Sequence, residues 1–180
     1  MALAPGTHSL GPDNATLWIR TKRTGAAAKA GHDLLIEVTA WSATIEAGEQ
    51  SEQTRMELTA DSRSLKVLEG TGGLTSLGDD DKAGIAETIN KDVLKGCVIA
   101  FQSTSVQGED QLTVQGELEL GGHRALVTFE LSTAAGRLTG AAVVKQTAHG
   151  IKPYSALFGT LKVADDVTVE IDARLPHDPG

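Results

Sequence analysis

The sequence holds a single cysteine, Cys97, so neither an internal disulfide nor a CxxC redox or zinc pair can form. No HxH or HxxxH spacing occurs either, and neither a metal nor another cofactor is expected. The GxSxG, GxGxxG and GKS signatures are missing, which removes the usual nucleophile elbow and the common phosphate-binding loops. Positive charge is in short supply. Sixteen Lys and Arg face 24 Asp and Glu for a net charge of -8, and the only local basic cluster is Arg20, Lys22 and Arg23. Nucleic acid and anionic membrane surfaces are therefore poor candidates as partners. No apolar run approaches the roughly 18 residues of a membrane-spanning helix, so stable membrane insertion is not expected. The opening MALAPGTHSLGPDNATLWIR is interrupted by Pro5, His8, Pro12 and Asp13, does not read as a signal peptide, and makes a cytoplasmic location the expectation.

What the chain does supply is alternation. From Leu112 to Leu131, LTVQGELELGGHRALVTFEL places Leu112, Val114, Gly116, Leu118 and Leu120 on one face and Thr113, Gln115, Glu117 and Glu119 on the other. It then turns on two glycines and resumes with Ala125, Val127, Phe129 and Leu131. This is a β-hairpin with one wet face. The same period of two marks TLWIRT, HDLLIEVTAWSATIEA, TRMELTA, CVIAFQSTSV, RLTGAAVVKQ and VTVEIDARL. In the long segment Leu34, Ile36 and Val38 share one face and Trp41, Ala43 and Ile45 the other, so a bulge or sharp bend is required near Ala40. DDDKAGIAETINKDVL carries Ile85, Ile89 and Val93 at helical spacing behind Asp79, Asp80 and Asp81, where carboxylates suit the positive end of a helix. SLKVLEG, just before it, reads as a shorter helical turn.

About eight strands and one helix predict an all-β antiparallel barrel with a helical insertion. Residues 1–14 form an N-terminal segment, 15–176 the barrel, and 177–180 a tail; His8 and His177 fall in the terminal segments. Only two Trp, one Tyr and three Phe are available to fill the interior, and Gly116, Ala125, Gly140, Ala142 and Ala173 lie on its inferred inner faces. Small residues there either leave room for a ligand or permit close sheet packing.

At FQSTSV, QLTVQGELELGGHRALVTFEL and HGIKPYS the chain resembles the YceI-like family, lipocalin-like proteins that bind polyisoprenoids and related long-chain lipids. The likeness runs from Trp18 to Leu175. It implies an antiparallel eight-stranded lipocalin-like barrel around an apolar tunnel, with a lipid tail inside, a polar head near the mouth, and a homodimer as a reasonable assembly. On that basis the tail is expected against Trp18, Ile36, Leu58, Ile99, Phe101, Gly116, Leu118, Phe129, Gly140, Ala142, Val144, Val169 and Ile171. The inward glycines and alanines would then clear room for the isoprenoid chain.

For a head group the candidates are His32, His149, Lys152 and Tyr154. His32 and Asp33 open a strand where a barrel mouth would lie, although adjacent strand residues point to opposite faces. His149, Lys152 and Tyr154 flank Pro153 in HGIKPYS. For each group the ordinary reading is the commoner one: a turn whose polar side chains bond the local backbone. Cys97, in an apolar strand, behaves as a small hydrophobe. Three functional classes follow: a non-catalytic carrier or store for a long-chain lipid, an enzyme on a small apolar substrate using His32 with His149 or Tyr154, and a ligand-free interaction module. The first is the expectation, with no catalytic residues.

Overall fold

The computed structural model describes residues 3–175. His177, the 177–180 tail and the last residue assigned to the barrel, 176, lie outside the described residues. Among those described, no helix is long and apolar enough to cross a membrane.

The chain builds strands β1 (Gly6–Leu10), β2 (Ala15–Thr21), β3 (Arg23–Thr24), β4 (His32–Val38), β5 (Trp41–Ala47), β6 (Arg55–Asp61) and β7 (Leu65–Gly72). Helix α1 (Asp79–Thr88) follows and continues as a π-helical turn, Ile89–Leu94. Strands β8 (Val98–Gly108), β9 (Gln111–Leu120), β10 (His123–Ser132), β11 (Arg137–Lys145), β12 (Ser155–Ala156), β13 (Leu161–Val163) and β14 (Asp166–Arg174) complete it. SLKVLEG is thus β7 and not a helical turn. Its alternation is satisfied by pairing with β4 through a bulge between Leu35 and Ile36.

Eleven strands form one antiparallel sheet in the order β1-β5-β6-β8-β9-β10-β11-β14-β2-β4-β7, where eight were expected. The fold is the expected all-β barrel type, and the count differs because the long run is split into β4 and β5 and because β1 and β7 are strands where an N-terminal segment and a helical turn were expected; each of the three meets a neighbour at a corner. β1 breaks from β2 at Gly11–Asn14, where Asn14 and Ala15 donate their N–H groups to the Gly11 carbonyl. β4 breaks from β5 at Thr39–Ala40, and β6 from β7 at Ser62–Ser64. Ser64 holds these last two bends together. Its carbonyl accepts the Thr39 N–H at 3.0 Å and its hydroxyl accepts the Ala40 N–H at 3.0 Å, so the corner leaves neither donor unpaired.

The consequence is closure. β4 and β5 lie near opposite ends of the sheet yet are joined by two residues, so the sheet curls round until its ends meet through the chain itself. Leu34, Ile36 and Val38 therefore face the same interior as Ala43 and Ile45, on the far side of the bend. The N-terminal segment is also part of the barrel. β1 pairs with β5 from Gly6↔Ala47 to Leu10↔Ala43, Leu10 is buried, and His8 lies within that strand.

One end of the barrel is packed solid. Leu10, Ala15, Leu17, Val38, Trp41, Val106, Leu112, Val114, Leu138 and Ala173 belong to one buried cluster, and Val114 and Ala173 are completely covered. At the other end α1 packs against β7, and a three-stranded sheet, β12-β13-β3, lies across the top. Asp81 starts α1 by accepting the Gly78 N–H at 2.9 Å, the local role that the acidic run suggests.

Candidate functional site: an apolar cavity above a packed floor

Above the packed end lies a cavity of about 840 Å³, within the range of small-molecule sites. The sheet register orders its wall by depth. Leu138, Ala173 and Ala15 sit side by side at the floor. One step up are Gly140, Ile171 and Leu17; then Ala142, Val169, Ile19 and Ile36; then Val144 and Val167. On the opposite side Leu58, Phe101 and Leu118 are in register across β6, β8 and β9. Phe101 and Phe129 contact each other with ring centroids 5.5 Å apart.

Eleven of the residues expected to meet a tail line this volume: Ile36, Leu58, Ile99, Phe101, Leu118, Phe129, Gly140, Ala142, Val144, Val169 and Ile171. Trp18 does not. It alternates with Leu17 and Ile19, which face inward, and its cross-strand partners are Glu37 and Glu170, so its ring lies on the outer face. Leu17 and Ile19 take the inner face that the expectation for Trp18 gave to the indole.

Gly116 is also off the cavity wall, and its smallness serves a different end. A Cβ built there would lie 2.5 Å from Cε2 and Cζ of Phe101 and 2.5 Å from the Gln102 carbonyl oxygen. The glycine lets the Phe101 ring lie flat across the neighbouring strand, so the space it leaves is taken by an aromatic ring. Gly140 likewise brings the Glu130 carbonyl within 2.4 Å of where a Cβ would be, a close strand approach, while its open side lines the cavity.

The head-group candidates separate. His32 and Tyr154 line the mouth; His149 and Lys152 are not on the cavity wall. His32 donates from Nε2 to the Thr75 carbonyl at 2.6 Å, tying β4 to the loop ahead of α1. His149 is fully buried in a 3₁₀ turn, where Nδ1 donates to the Lys145 carbonyl at 3.1 Å and Nε2 has no protein partner. The pair His32 and His149 is therefore not assembled around one substrate. Asp33 faces away from the cavity, as strand alternation requires. Its carboxylate accepts the Arg23 backbone N–H at 2.9 Å, and this bond, with the Lys22 and Arg23 charges, holds it below the usual aspartate value despite some desolvation.

Sequence reasoning missed three parts of the wall. Ile85, Ile89 and Val93 were visible as a helical stripe, and they turn out to cover the cavity from α1 and its π-helical extension. Leu17 and Ile19 flank Trp18 in TLWIRT, whose alternation does not say which face is inner. Arg23 gave no signal beyond its charge. Its Nη1 donates to the carbonyls of Gly31 at 2.8 Å and Thr71 at 2.9 Å, which fixes the guanidinium at the mouth. Gly72 has φ 78°, which favours glycine, and a Cβ there would lie 1.6 Å from that Nη1 and push the guanidinium off its carbonyls.

Reactive groups are scarce. Cys97 is half-buried and burial pushes its thiol pKa up, which suppresses the nucleophilic thiolate. Among the described residues, no three His, Cys, Asp or Glu side chains converge as a metal site would need. The site can exclude water from hydrocarbon and meet a polar group at its mouth.

Comparison with known proteins agrees with this architecture. No curated protein matches the sequence. Among solved structures, the crystal structure of BcnA from Burkholderia cenocepacia superposes with a TM-score of 0.64 at 18% identity, over 88% of this chain and 94% of that one, which is a likeness of fold. The YceI-like domain model matches residues 15–175, nearly the whole described chain, and the protein belongs to the YceI-like family.

Proposed function

We propose that the protein binds the hydrocarbon part of a long-chain lipid, a polyisoprenoid or a relative of one, inside the barrel, and that it stores or carries this ligand without catalysis. The observation that carries the reading is a cavity of about 840 Å³ with an apolar wall standing on a packed floor. Membership of a family whose members bind polyisoprenoids supports the ligand class.

Magnitudes favour a long chain over a short one. Each buried methylene contributes about 0.8 kcal/mol, so about ten give roughly 8 kcal/mol. Lost translational and rotational freedom alone costs about 4–15 kcal/mol, so a short chain is held weakly and a chain of about twenty carbons firmly. Arg23, Lys162 and Tyr154 are the proposed partners of the polar end, supported by their position on the cavity lining, where His149 and Lys152 are not found.

The test is organic extraction of the purified native protein, followed by lipid analysis and native mass spectrometry. A stoichiometric long-chain lipid is expected. If the protein carries none and also fails to take up an offered polyprenol, the reading is wrong.

A further inference from the structure

The rim of the cavity carries an exposed, strained aromatic loop. Leu157 and Phe158 are consecutive non-glycine residues in the left-handed region, at φ 50° and 56°. Such backbone costs free energy at each residue and persists only where the surroundings impose it. Here the strain turns Phe158 out of the protein, so that its side chain is fully exposed; Leu157 and Tyr154 beside it are about half exposed.

This loop is stitched to a second rim segment. The Ala27 N–H donates to the Thr160 carbonyl at 2.8 Å, and β13 pairs with β3 at Lys162↔Thr24 and Val163↔Arg23. Together the two segments, residues 22–32 and 151–164, contain Lys22, Arg23, Lys29, Lys152 and Lys162; Lys22 is paired with Asp33 at 3.6 Å, so the excess positive charge rests with Arg23, Lys29, Lys152 and Lys162, in a chain of net charge -8. The linear sequence shows only the Arg20–Arg23 part of this patch; folding adds the rest. Lys29, Lys152 and Lys162 are exposed.

We propose that this lip docks the protein on an anionic lipid surface, with Phe158 inserted at the headgroup level and the lysines over the phosphates. The inference rests on the lipid-binding reading for its purpose, since it places the cavity mouth against a lipid phase, but not for its test. An exposed aromatic flanked by lysines is the composition that partitions into a bilayer interface. Cationic side chains near an anionic leaflet each add attraction that salt screens. The first turn of α1 carries Asp79, Asp80 and Asp81, and α1 packs on β7 next to the 22–32 segment. The 151–164 segment, which carries Phe158, Lys152 and Lys162, is therefore the part of the lip that leads docking.

The experiment is flotation of the purified protein with phosphatidylcholine vesicles, with and without phosphatidylglycerol, at low and high salt. The parent should bind the anionic vesicles and lose binding as salt rises. Phe158→Gly removes the ring and relieves the backbone, so its thermal midpoint should not fall, while vesicle binding drops about tenfold or more, the loss expected when one phenyl ring is withdrawn from an apolar phase. Lys152→Glu with Lys162→Glu should abolish the preference for phosphatidylglycerol. Leu126→Ser, at an exposed position on β10 outside the lip, should bind like the parent. Absence of parental binding, equal binding by Phe158→Gly, or an equal loss in Leu126→Ser overturns the proposal. Extraction of the same preparations separates the two readings: lipid in the cavity without flotation sinks docking alone, and flotation with an empty, unfillable cavity supports docking while sinking the carrier function.

Discussion

Replacing Ala142 by phenylalanine sets the cavity against a filled core. Ala142 stands in register with Val169, Ile19 and Ile36, two steps above the floor formed by Leu138, Ala173 and Ala15. A phenyl ring at that level projects into open volume and takes the room of about three methylenes of a bound chain. At about 0.8 kcal/mol each the loss is roughly 2.4 kcal/mol, or about 50-fold in affinity. The ligand-free barrel should tolerate the ring with its thermal midpoint unchanged or slightly raised. Ala173→Phe, two steps down at a completely buried position, is the counterpart. Overpacking there should cost about 1–3 kcal/mol or more, a fall of roughly 2–12 °C for a chain of this size. Binding of a fluorescent polyprenyl analogue and thermal unfolding, measured on both variants, decide the matter. If Ala142→Phe unfolds as readily as Ala173→Phe, or binds the analogue like the parent, Ala142 does not border ligand space and the argument fails.

Other perturbations reach other parts of the fold. Gly116→Ala should lower stability by about 1–3 kcal/mol, because its methyl meets the Phe101 ring and the Gln102 carbonyl at 2.5 Å; denaturant unfolding reads this directly. Ser64→Ala removes the acceptor of the exposed Ala40 N–H, which water can replace, and should cost about 0.5–1.5 kcal/mol by the same measurement. Asp33 has a folded pKa below its unfolded value of about 3.9, so its contribution is present above that pH and lost as the pH falls through the lower folded value. The difference in thermal midpoint between parent and Asp33→Asn should accordingly be constant near neutrality and shrink only below about pH 4. Cys97 should react with a disulfide reagent much more slowly in the native protein than after unfolding, since burial raises its pKa.

Much of the barrel was legible because a sheet with one dry face writes a period of two into the chain. The hairpin of β9 and β10, and the inward residues of β11 and β14, follow from that period alone. Where it failed, a particular interaction overrode it. TLWIRT alternates in either register, and only the pairing of Trp18 with Glu37 and Glu170 decides which face is wet. Gly116 looked like vacant space because no pattern in a sequence states that a ring from the preceding strand will lie over it. The bend at Ala40 was visible as a slip in alternation, but the acceptor that stabilises it, Ser64, is 24 residues distant. The mouth was least legible. Its cations come from two segments with no common periodicity, brought together by β3 and β13, which have two and three residues.

Closure of the sheet through β2 and β14 also governs how the protein can be made. β2 ends at Thr21, and its partner begins to appear only at Asp166; the ion pair between Arg20 and Glu170 spans 150 positions of sequence. During synthesis the first strands leave the ribosome with their apolar faces complete and one neighbour still unmade. Pairings this distant in sequence are slow to form, and unpaired edges persist meanwhile. Synthesis at about 5–20 residues per second leaves β2 waiting roughly 7–30 seconds for β14. The barrel is thus a late product of its own chain, and a truncation that removes β14 would strand an open, sticky sheet instead of a smaller barrel.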